Sequence, residues 1–96
     1  MGRRAVFKFR LYVAGNALNS EQAKANLAAI CETHLSGRHE IELVDVFRDP
    51  QRALADNIFL TPTLVKLLPR PVQKIVGTLN QTQVTLEALG LPVPTP

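Results

Sequence analysis

Cys31 and His34 stand three residues apart, the separation that places two side chains on one face of a helix, and His39 follows five residues further on. A thiolate and two imidazoles are zinc ligands, but a closed tetrahedral site needs a fourth, which is hard to find here. The other chemistry open to a lone cysteine is nucleophilic or redox work, for which the thiolate must be stabilised at a helix amino terminus or beside a cation. Cys31 falls well inside a helical stretch, where a cysteine packs as a small apolar residue, and His34 lies at the edge of that helix. No second thiol exists for an intrachain disulfide, which suits a reducing, cytoplasmic setting. The residue types therefore predict no catalytic residue, no metal and no cofactor.

The hydropathy pattern marks the elements that carry these side chains. Phe7, Phe9, Leu11 and Val13 alternate with Lys8, Arg10 and Tyr12, so Val6 to Val13 reads as a half-buried strand closed by Gly15-Asn16. Asn19 or Ser20 can cap the next helix with a side-chain oxygen, and Glu21 suits its positive end. Ala23, Leu27, Ile30 and Leu35 recur near helical spacing until Ser36-Gly37 supplies a left-handed stop. Ile41 to Phe47 is a second strand, joined to the first through that helix as a βαβ unit. Asp49-Pro50 then opens a brief helix to Asp56, because proline lacks the N–H that would be orphaned in a first turn.

Leu64 to Leu68 and Val72 to Val76 are two apolar runs separated by Pro69-Arg70-Pro71, the pattern of an antiparallel hairpin with a proline-set bend. Asn80 can cap a helix from Gln81 to Leu89, with Val84, Leu86, Ala88 and Leu89 on its buried side and Gly90 as its stop. The resulting order is β-α-β-α-β-β-α in a single α/β domain over residues 1–90. Period alone does not separate helix from strand in short apolar runs, so Leu64 to Leu68 also makes an acceptable helical turn, and Val84 to Leu89 carries the same ambiguity. The three prolines of Leu91 to Pro96 exclude a helix and predict a flexible tail over residues 91–96.

An apolar content of 46% in 96 residues supports one domain with a modest core. The net charge of +3 and the cluster Arg3, Arg4, Lys8 and Arg10 would suit an anionic partner. Acidic residues interleave elsewhere, however, and five aromatics without tryptophan do not make the basic, stacking surface of a nucleic-acid binder. No stretch has the length and apolarity of a signal peptide or a membrane span. Neither nucleic acid nor membrane is expected as a partner.

The step Leu60-Thr61-Pro62-Thr63-Leu64, facing the loop after Leu11-Tyr12-Val13-Ala14-Gly15-Asn16, resembles the thioredoxin-like arrangement, in which a proline opening the third strand is normally cis. Pro62 is that cis-proline candidate; its alternative role is to shape a tight lead into the strand. Where a redox domain carries Cys-x-x-Cys, this chain has Asn16-Ala17-Leu18-Asn19-Ser20. A more specific resemblance covers Phe7 to Gly90. The segment from Leu11 to Asn16, Asn19-Ser20, Asp45-Val46, Ile58, Thr61-Pro62-Thr63-Leu64, Leu68-Pro69, Pro71-Val72 and Gly77 are similar, in order and spacing, to the KaiB family of circadian-clock proteins.

That resemblance implies a non-enzymatic regulator that binds the hexameric ATPase and kinase KaiC, with KaiA and the histidine kinase SasA as further partners, and modulates phosphorylation in circadian or stress-related signalling. It also implies two alternative folds, a thioredoxin-like binding form and an oligomeric resting form with the same βαβ first half and a rearranged second half. Asn16, Asp45, Lys66 and Lys74 are the partner-binding candidates, the two lysines as a basic patch on facing strands or as guards of an edge. Ala88 and Gly90 replace the family's usual Gly and Asp, and both favour a helix there by about 1 kcal/mol or less. Gln22, Glu42 and Asn57 stand where clock members place basic residues, and Arg70 interrupts the family's proline run. These departures point to a divergent member. Other readings are a sensory or adaptor domain acting on a histidine kinase, and a degenerate thioredoxin-like domain that binds thiols beside Pro62.

Overall fold

In the computed structural model, which describes residues 5–93, Phe7–Val13 forms β1 and its alternation sends two sets of side chains to opposite faces of a sheet. His39–Asp45 (β2) runs parallel to β1, Thr63–Leu68 (β3) lies antiparallel on its other side, and Gln73–Val76 (β4) pairs antiparallel with β3. The strand order is β2-β1-β3-β4, with β1 and β3 central. Three helices, Leu18–His34 (α1), Pro50–Ala55 (α2) and Thr82–Leu89 (α3), complete the expected β-α-β-α-β-β-α order. Among the described residues no helix is long and apolar enough to cross a membrane.

Two apolar layers hold the sheet. Phe7, Phe9, Leu11 and Leu64 pack with Ala23, Leu27 and Ile30 of α1 and with Leu86 and Leu89 of α3. Each fully buried large side chain there contributes about 1.5–3 kcal/mol through loss of water contact. On the opposite face Tyr12, Val44 and Val65 pack with Ala53 of α2 and with Ile58. Asn26 on α1 donates from Nδ2 to the Thr78 carbonyl at 2.8 Å and ties the loop before α3 to the first helix.

The helix starts differ from the sequence reading. Ala17, not Asn19 or Ser20, is the cap of α1, because the Ser20 hydroxyl is engaged by the Ala14 N–H at 3.0 Å and holds the preceding loop. Gln81, not Asn80, precedes α3. Asp49 caps α2 by position without a side-chain hydrogen bond, and its carboxylate lies 4.0 Å from the Arg52 Nε. Thr85 rather than Val84 faces the core from α3, which lets Leu86 and Leu89 reach it while Val84 stays exposed. Leu91 and Val93, assigned to the tail by their prolines, pack against the main core. The remaining tail residues 94–96, and the cations Arg3 and Arg4, lie outside the described residues.

Candidate functional site

β1 and β2 end, and β3 begins, at one end of the sheet, where the polar side chains singled out in the sequence gather. Gly15 turns the chain after β1 at φ +52, a conformation that suits glycine, and a side chain there would meet the Phe47 ring at 3.6 Å. The Asp45 Oδ1 accepts the Phe47 N–H at 2.9 Å and the Gly15 N–H at 3.2 Å, fastening the ends of β1 and β2 together. The Phe47 N–H holds its carboxyl below the usual carboxylate range, against a desolvation that acts the other way, with the Gly15 N–H and Arg48 helping. Asn16, Lys24, Leu43, Asp45 and Arg48 line an open cleft of about 430 Å³ at this corner. The structure thus brings Asn16 and Asp45 into one place.

Around that cleft the same end of the sheet is apolar. Leu18 (71% exposed) opens α1, Phe47 (74%) follows β2, and Phe59 (82%) and Leu60 (63%) lead into β3. Thr61-Pro62 is cis, as expected for the candidate Pro62, and so are Leu68-Pro69 and Arg70-Pro71. The Pro62 carbonyl accepts the Gly77 N–H at 2.9 Å, and the Thr63 hydroxyl donates to the Leu60 carbonyl at 2.6 Å. Gln22 and Asn57 are exposed and uncharged, and Asn57 turns the chain at φ 57 just before this apolar segment. The end of the sheet therefore carries exposed apolar side chains beside a cleft whose lining includes the charged Lys24, Asp45, Arg48 and Asp49.

Lys66 and Lys74 do not form the basic patch anticipated from the hairpin. Lys66 pairs with Phe9 and Gln73, whereas Lys74 pairs with Val65, so the two lysines point to opposite faces of the sheet. Lys66 is 4% exposed, its ammonium 6.0 Å from the Phe7 ring centroid. That is a lysine whose stem covers core surface. Lys74 is exposed and donates to the Asp56 carbonyl at the end of α2.

Lys74 joins a polar assembly that the sequence reading did not identify. The Glu42 Oε1 accepts the Arg10 Nε–H and one Arg52 N–H, and Oε2 accepts a second Arg52 N–H, all at 2.8 Å. Arg10 also reaches Asp56 at 3.0 Å, and the Tyr12 hydroxyl donates to the same carboxylate oxygen. The Arg52 N–H bonds, then those of Arg10, hold the Glu42 carboxyl down at about 2. Burial, with help from the Asp56 carboxylate, pushes the Tyr12 phenol up to about 12. The available signal was the polar alternation Lys8-Arg10-Tyr12 on β1, opposite a strand bearing Glu42 and a helix bearing Arg52.

The reactive side chains stay apart from this end. Cys31 is fully buried in α1, and burial, then Glu32, pushes its thiol up to about 11. The His39 Nδ1 lies 2.8 Å from the Leu35 carbonyl, and the His34 carbonyl accepts an Arg38 N–H at 3.3 Å. Among the described residues no group of three or more His, Cys, Asp or Glu side chains is placed to hold a metal ion.

Known proteins with this architecture and sequence fall into two sets. The N-terminal domain of SasA from Synechococcus elongatus superposes with a TM-score of 0.73 at 17% identity, covering 99% of this chain and 93% of that domain. Chloroplastic thioredoxin z superposes with a TM-score of 0.74 at 19% identity, covering 91% of this chain and 79% of the other, so the fold is thioredoxin-like. In sequence, the circadian clock protein KaiB3 of Synechocystis sp. is 44% identical over 84 residues, 88% of this chain and 80% of that protein. The circadian clock oscillator protein KaiB of Acaryochloris marina is 43% identical over 88 residues, 92% of this chain and 85% of its own. The KaiB domain model matches residues 10–91, and on both grounds the chain belongs to the KaiB family.

Proposed function

We propose that this chain is a non-catalytic clock-type regulator that docks on a KaiC-type, RecA-like ATPase and changes its phosphorylation state. The observation that carries this reading is the apolar end of the sheet. Leu18, Phe47, Phe59 and Leu60 are each exposed in segments at the end where β1 and β2 finish and β3 begins, and large apolar side chains left in water at one end of a sheet support a protein contact there. Asn16 and Asp45 supply the polar side of the contact, and Lys74 on β4 is tied to the Asp56 carbonyl, three residues before Phe59. Lys66 is buried and takes a packing role. KaiA-like and SasA-like proteins are further partners on this reading, the cytoplasm is its setting, and a homo-oligomer is its resting state.

A thiol-binding oxidoreductase is the weaker reading. The loop after β1 offers Asn16 and no thiol, the Ser20 hydroxyl is buried in the first turn of α1, and the one sulfur is buried with a raised pKa. The deciding experiment is size-exclusion chromatography with light scattering, run on the chain alone and with a KaiC-type ATPase plus ATP, followed by phosphoprotein gels of the ATPase. Co-elution with a changed phosphorylation level supports docking. Absence of a complex together with disulfide-reductase turnover would defeat it.

A further inference from the structure

Phe59 and Leu60 project from a short segment whose geometry is fixed by what precedes it. Asp56 closes α2, Asn57 reverses the chain, and Ile58 is buried with its N–H donated to the Ala53 carbonyl at 2.8 Å. Asp56 is held on both sides: Arg10 and Tyr12 engage its carboxylate, and Lys74 engages its carbonyl. Arg10 and Arg52 in turn are fastened by one group, the Glu42 carboxylate on the edge strand β2. The Arg52 carbonyl accepts the Asp56 N–H at 3.0 Å and lies 3.2 Å from the Tyr12 oxygen, whose proton goes to the Asp56 carboxylate, so the backbone of α2 meets the same turn.

We propose that Glu42 is a positioning residue for the Phe59–Leu60 docking segment: seated on α2 by the Arg52 guanidinium, it aligns Arg10, which holds the Asp56 carboxylate and with it the turn that aims the two apolar side chains. The inference rests on the docking role given to that segment, but its mechanism is intramolecular. Glu42 touches neither Phe59 nor Leu60 and acts through charge. A lysine at this position would set a third cation beside two guanidiniums and would release both. Glutamine keeps an acceptor oxygen and removes the charge.

The test compares the full chain with its Glu42→Gln and Glu42→Lys variants by NMR amide exchange at Asn57 and Ile58, with global stability followed in urea. Glu42→Gln is expected to speed exchange at these amides about fivefold more than at the core amides of Leu11 and Leu64, which should change only by the factor that the global stability in urea accounts for. Salt separates this role from simple packing. At about 1 M NaCl, where screening reaches about 3 Å, the native chain should approach the Glu42→Gln rate and the variant should barely respond. Equal exchange in the native chain and Glu42→Gln, or an equal salt response in both, would overturn the proposal. Glu42→Lys should show the larger effect; if it does not fold, Glu42→Gln alone decides. No partner enters these measurements, so a failure here is distinct from a failure of docking, which is read from complex formation by a Phe59→Ser variant.

Discussion

The Glu42 carboxylate accepts three N–H bonds from two arginines, which brings its pKa from an ordinary 4.5 down to about 2. A carboxyl depressed in the folded state contributes stability that is complete above its unfolded pKa and is lost as pH falls through the folded value. Asp56 is lowered too, first by the Tyr12 hydrogen bond, so it adds to the same slope. Acid titration of unfolding should therefore show stability falling between about pH 4.5 and about 2, with a shallower fall in Glu42→Gln. An unchanged slope in the variant would show that Glu42 contributes nothing to the pH dependence of folding. Cys31 presents the opposite case, a thiol kept neutral by burial at a pKa of about 11. An aromatic disulfide reagent at pH 7 should leave Cys31 unmodified in the native protein and react promptly in denaturant; rapid native modification would contradict the buried placement.

α3 tests how far local signals govern an element. Ala88 lies inside this eight-residue helix, and Gly90 closes it in the left-handed conformation at φ 75. Ala88→Gly should cost about 1 kcal/mol by urea unfolding, because glycine loses more backbone freedom in a helix interior. Gly90→Ala should also destabilise, by about 1 kcal/mol, since a Cβ is strained at that φ. Heteronuclear NMR of the double variant should show weakened helical shifts over residues 82–89 with β1 and α1 intact, whereas a fully retained helix would sink the assignment of helix preference to these two positions. The helix was legible in Asn80 to Gly90 because a polar start, an apolar repeat and a terminal glycine agree. Its cap and its buried face were off by one residue, since Thr85 satisfies its hydroxyl on the Gln81 carbonyl at 3.1 Å and can turn inward. The βαβ half and the hairpin were legible for the same reason, as runs bounded by glycine or proline. The polar network was not, because it joins residues 32 and 46 positions apart and no local pattern records such pairings. Lys66 misled for a related reason: a lysine in an edge hairpin reads as solvent-facing until the register places it under Phe7.

Across the whole molecule, helices cover both faces of the sheet, and the end where β1 and β2 finish keeps four large apolar side chains in water. Phe59 and Leu60 make little contact with the rest of the chain, so replacing either with serine should change unfolding free energy by no more than about 0.5 kcal/mol. Binding should respond very differently. An aromatic anchor at the centre of an interface is worth about 2 kcal/mol or more, so Phe59→Ser should weaken a complex with a KaiC-type ATPase by about thirtyfold. Lys66→Ala supplies the converse, because its stem packs over the Phe7 side of the core and its charge does not face the docking end. That variant should lose stability in urea while binding, measured below the unfolding transition, keeps its native affinity. Calorimetry or fluorescence anisotropy on the two variants separates the surfaces: equal affinities for native protein and Phe59→Ser would remove the apolar end from the contact, and a selective loss in Lys66→Ala would move the contact to the opposite side of β3.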